Sequence, residues 1–435
     1  MDESSINPHS LQVISNSLAL CGGILVIASA RFLIRRFAPS GFLGIPAQTW
    51  QAAVTLRILL LLALFASDVL IQNPNPPPWM ARSSPSDISS FLAHLSNWDG
   101  GWYLGLATDG YSLLSQEGFE NNRGQWAAVD VAESWRWAGS APPQWKFYGP
   151  YHFFPLYPLL LRACLAFPGQ PELIAFALSN LLFIVFLSAL YRLSIKFGRP
   201  VAHDSVCLAC VYPGTIFTYG AFSEPLFIAL AAWCLVYVER QQLTRAGIAA
   251  ALTSMARIPG VLVAVPMLVS RWLDGTERPY RLGPALASIL PALSGLGLVV
   301  LYFYLSTGDP IPFVRAQRLG GYHLSAPWNV LRLDVHKDFG GLVLVPLWGA
   351  LVVGGLLAYR WLSYPLSTYT LSIVALHSFH NHSALARFSL ECFPLIIVLS
   401  ILANRSEHAR EIVYPASAML ACLLGTMFVN GYWAG

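Results

Sequence analysis

The sequence predicts an all-α polytopic membrane protein with about 12 transmembrane helices and a long first loop outside the membrane. The chain has 435 residues, of which 55% are hydrophobic and only 11% are charged. Its mean hydropathy is +0.54. These values exclude a disordered chain, a secreted disulfide scaffold and an ordinary cytosolic enzyme. The net charge of +4 is too small to indicate a nucleic-acid partner.

Apolar runs long enough to cross the hydrocarbon core define the predicted helices. The first run belongs to an additional N-terminal unit, residues 1–49, which ends in a cytoplasmic link. The transmembrane core covers 50–403, and residues 404–435 form a C-terminal helix. Segment 153–167 contains two prolines and an arginine, so we expect a helix that lies at the interface or dips into the membrane without spanning it. The predicted spans are approximately 11–34, 52–71, 173–195, 203–220, 224–238, 243–257, 258–270, 284–306, 340–358, 363–378, 386–402 and 412–430.

Positive charges are concentrated in alternate loops, which are short and are therefore assigned to the cytoplasm. The opposite side then receives the two long loops, 72–152 and 307–339, together with most acidic residues and both chain ends. No internal helix repeat is visible, which counts against a transporter built from inverted repeats. The basic residues of the short loops are Arg31, Arg35, Arg36, Arg192, Lys196, Arg199, Arg240, Arg245, Arg271, Arg278, Arg281, Arg360, Arg405 and Arg410.

The first long loop is rich in tryptophan and contains the segment NWDGGWY, residues 97–103. Aromatic faces stack on sugar rings, although tryptophan also anchors loops at a membrane surface. Asp99 is bracketed by aromatic side chains and glycines, a setting in which a carboxylate can act as a general base. The alternative interpretation is an aspartate that caps a short helix or lies in the turn before it.

Three further charged residues lie at predicted outer ends of helices. Glu224 is either a site residue or an acid in the first turn of a helix that is capped by Ser223. Arg257 and Arg387 can clamp the oxygens of a lipid phosphate, or they can pair helices and extend toward the surface. The sequence leaves both alternatives open for all three residues.

A histidine cluster lies near the C-terminal third of the chain. His377 and His380 are three residues apart and share a helix face, which suits a metal, and His382 follows them. No acid or cysteine completes a ligand set nearby, so the other interpretation is a polar lining or a helix end. We therefore expect neither a metal nor another cofactor.

Eight short motifs occur in a defined order along residues 98–394. They are Trp98-Asp99-Gly100 with Tyr103-Leu104, Ala107 and Gly110-Tyr111; FFPLYP at 153–158; Ser179-Asn180 followed by ALYRL at 189–193; Tyr212-Pro213; SEPLF at 223–227; Arg257 with Gly260; Gly308-Asp309-Pro310 with Phe313, Ala316 and Gln317; and Arg387-Phe388 with Phe393-Pro394. This ordered set resembles the motifs of PIG-V-type mannosyltransferases. That family includes the enzyme that adds the second mannose in GPI-anchor synthesis, together with prokaryotic relatives. The resemblance covers about residues 50–403. Its specificity comes from the order of the motifs along the chain.

Four features depart from the family pattern. Trp102 stands where many members have a histidine, and the segment Arg257-Ile258-Pro259-Gly260 replaces the R-S-N-G of human-like members. The insert 112–152 is longer than usual, and the first helix is an addition. These departures bear on the acceptor rather than on the fold.

The resemblance implies a GT-C glycosyltransferase fold and a sugar donor of the polyprenyl-phosphate class. It implies that Asp99 is the catalytic base, which deprotonates an acceptor hydroxyl for a displacement that inverts the anomeric carbon. Arginines would stabilise the phosphate that leaves, while acids would bind sugar hydroxyls or hold the arginines in place. The implied substrate-binding residues are Trp98, Trp102, Tyr103, Tyr111, His152, Glu224, Arg257, Asp309, Arg315, Gln317 and Arg387.

The implied function is that of an inverting mannosyltransferase that uses polyprenyl-phosphate mannose and acts on the non-cytoplasmic face. Its partners would be this donor, a glycolipid or glycan acceptor, and membrane lipids. Two alternatives are a GT-C transferase for another polyprenyl-phosphate sugar, and a lipid transporter or binder without enzymatic activity. The loop from Gly308 to Gln317 is similar to that of prokaryotic members, which favours a prokaryotic plasma membrane over the endoplasmic reticulum.

Overall fold

The computed structural model describes residues 27–34, 36–71, 88–111, 149–273, 282–319, 326, 339–379 and 384–432. Within these residues the protein is helical, and the only bridge between extended segments pairs Phe42 with Ile45. The predicted all-α class is therefore confirmed for the described chain. Its α-helices are Ala47–Leu70, Ile88–His94, Asp99–Asp109, Leu156–Cys164, Pro171–Ser194, Arg199–Cys210, Glu224–Glu239, Leu243–Ala256, Ala264–Leu273, Leu282–Ala287, Leu290–Thr307, Pro312–Leu319, Phe339–Trp361, Tyr364–Ser378, Leu385–Phe388, Pro394–Ala403 and Glu407–Val429.

Three helices in this part of the chain are both long and apolar enough to cross a membrane, namely Ala47–Leu70, Pro171–Phe197 and Glu407–Val429. The protein therefore has the helices of a membrane protein, while the number of about 12 spans stays a prediction. Of the predicted first span, residues 27–34 are described and are helical. Shorter apolar helices accompany the long ones, over Ile258–Leu273, Leu290–Ser306, Val345–Trp361 and Pro394–Ala403.

Two of the predicted spans are not continuous α-helices. The run 203–220 ends as an α-helix at Cys210 and continues as the 3₁₀-helix Pro213–Thr218. The helix stops because the residue before a proline avoids the α conformation. The run 258–270 begins as a 3₁₀-helix, Ile258–Val263, before the α-helix Ala264–Leu273. Each run therefore combines an α-helix with a 3₁₀-helix, and its role as a membrane span stays a prediction.

A third predicted span, 386–402, is interrupted as well. It contains the four-residue helix Leu385–Phe388, a turn, and the helix Pro394–Ala403, which has proline at its first position. Proline at that position fixes the start of a helix. These three interruptions matter because irregular backbone at membrane depth occurs where it lines a cavity or is buried in protein.

The segment predicted to lie at the interface forms the helix Leu156–Cys164. Nine residues at about 1.5 Å each extend roughly 13 Å, which is too short to cross a membrane. This helix packs against Asp99–Asp109. It thereby supports the part of the first long loop that carries Asp99.

The helix Glu224–Glu239 forms the centre of the bundle. It packs on Pro171–Ser194 and on Leu243–Ala256, and almost all of its residues are buried. A helix that is apolar on every side belongs inside a bundle. Its first residue, Glu224, is therefore carried into the interior of the protein.

Polar contacts fix one end of the long helix Ala47–Leu70. Asp68 Oδ1 lies 2.8 Å from His94 Nδ1, and Asn430 Nδ2 donates to Ser67 Oγ at 3.2 Å. His94 is the last residue of the helix Ile88–His94, and Asp99 follows five residues later. The Ser67 end of this helix is therefore the end near Asp99.

Candidate active site

Arg387 joins two carboxylates that come from distant parts of the chain. Its Nε donates to Glu224 Oε1, and its Nη1 donates to Asp99 Oδ2. The side chains of Arg387 and Glu224 are 5% and 0% exposed, whereas that of Asp99 is 28% exposed. The guanidinium thus holds Asp99 at the accessible edge of a buried group of charges.

Arg257 extends this group beyond Glu224. Its Nη1 donates to Glu224 Oε1 and, at 3.2 Å, to Ser223 Oγ. Its Nε lies 3.1 Å from Glu391 Oε1, and His377 Nε2 lies 2.9 Å from Glu391 Oε2. We define the ionic cluster as the side chains of Asp99, Arg387, Glu224, Arg257, Glu391 and His377.

The ionic cluster contains three carboxylates and two guanidiniums, and a histidine completes it. Buried charges are costly unless they are paired and hydrogen-bonded. Each carboxylate here contacts an arginine, so the pairing requirement is met. Within the described chain, however, Glu224 Oε2 accepts no hydrogen bond. This buried oxygen is therefore an acceptor that the described residues leave unsatisfied.

Asp99 is placed by an unusual backbone conformation at Trp98. The φ angle of Trp98 is 60°, a left-handed value that costs a residue other than glycine about 1–3 kcal/mol. Trp98 occupies the N-cap position of the helix Asp99–Asp109, and no side chain caps that helix. The interpretation of Asp99 as a cap is therefore wrong, because its carboxylate binds Arg387 instead.

The start of the Glu224 helix lies directly against the Asp99 segment. Ala221 N donates to Ser96 Oγ at 3.1 Å. A Cβ at Gly220 would lie 1.9 Å from the carbonyl oxygen of Leu95, so only glycine permits this approach. Two loops that are far apart in sequence are thereby brought together beside the ionic cluster.

Ser223 does not cap its helix through its side chain. Its Oγ instead lies 2.5 Å from Tyr103 Oη. Burial raises the pKa of Tyr103 to about 12, so its hydroxyl stays protonated near neutral pH. Ser223 therefore occupies the predicted N-cap position, with Glu224 in the first turn, but its side chain connects Tyr103 to Arg257 and does not cap the helix.

Arg257 follows the last residue of the helix Leu243–Ala256 and has an extended backbone, with φ of −159°. The chain then turns back against that helix in the 3₁₀-helix Ile258–Val263. A Cβ at Gly260 would lie 2.1 Å from the carbonyl oxygen of Thr253. The spacing of Arg257 and Gly260 is explained by this close contact, which directs the arginine into the cluster.

Four of the predicted substrate-binding residues surround Phe153. Trp102 stacks on its ring at 6.0 Å between centroids, and Tyr103 meets the ring edge-on at 4.9 Å. Tyr111 Oη donates to the carbonyl oxygen of Phe153 at 2.5 Å. His152 lies beside them, and burial lowers the pKa of its imidazole to about 3. These residues form an aromatic wall that is connected to the ionic cluster through the contacts of Tyr103 with Ser223 and of Ser223 with Arg257.

The fifth aromatic candidate, Trp98, lies in a different environment. Its side chain packs against the apolar group that contains Phe217 and Phe222. Arg387 lies over the same two rings, at 5.7 and 5.4 Å from their centroids. Trp98 and Arg387 therefore share an apolar support.

The predicted residues of the second long loop lie on or before the helix Pro312–Leu319. Asp309 Oδ1 accepts a hydrogen bond from Ile311 N at 3.1 Å, which fixes the turn into this helix. The helix packs on Gly149–His152. Gln317 is half-buried, whereas the side chain of Arg315 lies outside the described residues. The contribution of these three residues to substrate binding stays a prediction.

Sequence reasoning missed Glu391, which connects Arg257 to His377. The residue is fully buried, in a turn between two short helices. A lone acid within the apolar segment Phe388–Phe393 is the signal that could have identified it, because intramembrane acids face the interior of a bundle. This signal identifies a site residue only when the cationic partner of the acid is known.

No group of three histidine, cysteine, aspartate or glutamate side chains suited to a metal ion occurs among the described residues. His377 contacts Glu391 instead, and it stacks on Phe388 with 4.5 Å between ring centroids. His380 and His382 lie outside the described residues. The expectation that the protein needs no metal therefore stays a prediction.

No family model and no curated protein matches this chain. The resemblance to PIG-V-type mannosyltransferases thus rests on the ordered motifs of the sequence. Four of those motifs, around Asp99, Glu224, Arg257 and Arg387, contribute to the ionic cluster.

Proposed function

We propose that this protein is an inverting glycosyltransferase that moves mannose from a polyprenyl-phosphate donor to a glycolipid or glycan hydroxyl. The observation that carries the proposal is the bridge that Arg387 makes between Asp99 and Glu224. It places a carboxylate at an accessible edge beside two arginines. A base and phosphate-binding cations are the groups that this transfer needs.

In the proposed reaction, Asp99 accepts the proton of the acceptor hydroxyl. The acceptor oxygen forms a bond to the anomeric carbon, and the bond from that carbon to the phosphate oxygen breaks. The phosphate keeps the electron pair and leaves as a polyprenyl monophosphate. Because attack and departure occur on opposite faces of the sugar, the anomeric configuration inverts.

The ion pair of Asp99 with Arg387 has a consequence for the order of events. While Asp99 Oδ2 accepts a hydrogen bond from Arg387 Nη1, that oxygen is occupied and does not face an acceptor hydroxyl. An incoming phosphate offers Arg387 a second anion, and guanidinium binds phosphate well through paired N–H groups. Donor binding would therefore release Asp99, so the base becomes active only when the donor is present.

Glu224 and the aromatic wall support the sugar end of the proposal. Glu224 Oε1 holds both arginines, while Oε2 has no hydrogen bond within the described chain and can accept one from a sugar hydroxyl. Trp102 is half-buried and lies close to Asp99 in sequence. Its face is suited to the apolar side of a pyranose ring.

The location follows from the predicted orientation. Short basic loops on one side place the Asp99 loop on the outer side of the membrane. Polyprenyl-phosphate sugars are membrane-embedded donors whose sugar can be presented on the outer side, so an outer active site can use such a donor. We propose a prokaryotic plasma membrane, because the loop from Gly308 to Gln317 is similar to that of prokaryotic family members.

The test is donor consumption by the full chain in lipid nanodiscs. Polyprenyl-phosphate mannose is supplied together with a membrane lipid extract and water, and mannose release or transfer is followed by mass spectrometry. Wild type is compared with Asp99→Asn and with Asp109→Asn, which alters the other end of the same helix. We expect turnover by wild type and Asp109→Asn and none by Asp99→Asn.

Two results would overturn parts of this proposal. Consumption of a different polyprenyl-phosphate sugar, with mannose left intact, would show that the donor sugar is wrong while the base is right. A folded wild type that consumes no donor would exclude the transferase and favour a lipid binder or transporter.

A further inference from the structure

A cavity of about 780 Å³ lies at the other end of the molecule. Its walls come from Arg31, from residues 48–56, from the helix Arg199–Cys210 and from residues 410–415 of the helix Glu407–Val429. Its volume is typical of sites that hold small molecules. None of the residues of the ionic cluster contributes to it.

The cavity and the candidate active site lie at opposite ends of the helix Ala47–Leu70. His203 Nδ1, in the cavity wall, lies 3.0 Å from Thr49 Oγ1. Ser67, which contacts Asn430 near the Asp99 segment, is 18 residues further along the same helix. At about 1.5 Å per residue this separates the two sites by roughly 27 Å, close to the thickness of a hydrocarbon core.

The polar groups at the base of the cavity already have hydrogen-bond partners within the protein. Asp204 is buried and accepts hydrogen bonds from Asn404 Nδ2 at 2.6 Å, from Tyr414 Oη at 2.8 Å and from Arg410 Nη2. His203 Nε2 lies 3.6 Å from Cys207 Sγ. These groups shape the cavity, and their charges are compensated within the protein.

Two other charges at the cavity are not compensated. Arg31 and Glu411 both line it and both are exposed. Neither has a hydrogen-bond or ion-pair partner within the described part of the chain. A ligand that carries a phosphate and a primary ammonium group would satisfy both, because guanidinium binds phosphate and a carboxylate accepts from N–H.

Apolar side chains continue from the cavity along the outside of the bundle. Ala52, Leu56 and Pro415 line it, and Leu59 and Ile412 beside them are 49% and 68% exposed. Such a surface next to a polar cavity fits acyl chains. An amphiphile therefore matches the site better than a water-soluble anion does.

We propose that this cavity binds one molecule of a phospholipid with an ethanolamine headgroup. Arg31 holds the phosphate, Glu411 accepts hydrogen bonds from the ammonium group, and the acyl chains follow Leu56 and Leu59. The site is separate from the proposed transferase centre and does not depend on that function. Basic cavities between transmembrane helices commonly bind lipid headgroups, and Glu411 adds the selectivity for an amine.

Lipid retention by the purified full chain tests this proposal. The delipidated protein is exchanged with deuterated phosphatidylethanolamine, phosphatidylcholine or phosphatidylglycerol, and bound lipid is counted by native mass spectrometry. We expect one tightly held phosphatidylethanolamine. We expect about tenfold weaker binding for Arg31→Gln and for Glu411→Gln, as each removes one charge-assisted contact. Matched controls are Arg36→Gln and Glu407→Gln, which are exposed neighbours outside the cavity.

Three outcomes would overturn the proposal. Equal retention of phosphatidylcholine would show that the ammonium hydrogens are not recognised. Preference for phosphatidylglycerol, strengthened in Glu411→Gln, would identify an anionic lipid instead. Unchanged binding in both cavity variants, with the controls also unchanged, would place the lipid elsewhere.

Discussion

Two aspartate–arginine pairs lie at opposite ends of this protein, and they differ in how fully the carboxylates are satisfied. Asp204 is buried, and both of its oxygens accept hydrogen bonds, from Arg410, Asn404 and Tyr414. Arg410 itself is 49% exposed. Asp99 shows the reverse arrangement, because its arginine is buried while the carboxylate is 28% exposed.

The comparison separates a structural pair from one that can exchange partners. Three donors already satisfy the Asp204 carboxylate, so an exchange of partners would bring it no additional hydrogen bond. In the ionic cluster the carboxylates share two arginines, and Glu224 Oε2 has no hydrogen bond within the described chain. Shared and incomplete pairing is the arrangement our proposal requires, in which an incoming anion takes over an arginine. We therefore interpret the ionic cluster as the substrate site and the Asp204 pair as a structural support.

The largest expected effect on stability comes from Glu224→Gln. This change leaves two buried guanidiniums without the carboxylate that both of them contact, which costs about 3–5 kcal/mol of unfolding free energy. Chemical unfolding in detergent micelles measures it. The control Glu407→Gln removes an exposed carboxylate and should change stability by less than about 0.5 kcal/mol. Equal stability of the two variants would mean that the cluster is hydrated rather than buried.

The next effect is on catalysis, through Arg387→Lys. Lysine keeps the charge but cannot contact Asp99 and Glu224 through two fixed N–H directions. We expect kcat/KM for the donor to fall about 100-fold, the size seen when one stabilising donor is lost. Arg410→Lys, the same change at the structural pair, should leave kcat/KM within a few-fold. A similar loss of kcat/KM in Arg387→Lys and Arg410→Lys would contradict the distinction between the ionic cluster and the Asp204 pair.

A smaller effect is expected from Asp204→Asn. The amide retains part of the hydrogen bonding but loses the charge that pairs with Arg410, so unfolding free energy should fall by about 2 kcal/mol. Donor consumption by the folded variant should equal that of wild type. Normal stability with lost turnover would show that the Asp204 end takes part in the reaction.

The smallest effect is expected from Tyr103→Phe. It removes the hydrogen bond to Ser223 Oγ and leaves the ring packed on Phe153, so we expect a loss of about 1 kcal/mol. Thermal unfolding of the variant is compared with that of Tyr304→Phe, whose side chain is exposed. A loss above about 3 kcal/mol would indicate that the hydroxyl organises the whole cluster.

Composition and periodicity were sufficient to predict a helical membrane protein, because long apolar runs indicate both the helices and their location in a membrane. They could not predict where helices are interrupted. Whether Pro213, Pro259 or Pro394 ends a helix or continues a span depends on neighbours in the fold. The interruptions are where the site forms, since Arg257 lies beside one of them and Arg387 and Glu391 lie within another.

The candidate site was predictable in part. Asp99, Glu224, Arg257 and Arg387 could be singled out as charges at helix ends, but their pairing could not, because it joins positions up to 288 residues apart. Glu391 was missed because a single acid in an apolar segment indicates burial but does not indicate which cation pairs with it. The strain at Trp98 has no sequence signature at all.

The most direct test of the central claim is a comparison of donor binding with turnover in Asp99→Asn. Binding of polyprenyl-phosphate mannose to nanodisc-embedded protein is measured at equilibrium, and turnover is measured on the same sample. If Arg387 passes from Asp99 to the phosphate, the variant should bind the donor at least as tightly as wild type, while turnover falls by about 100-fold or more. Full turnover in Asp99→Asn would contradict the assignment of the base. Lost donor binding would contradict the exchange of partners.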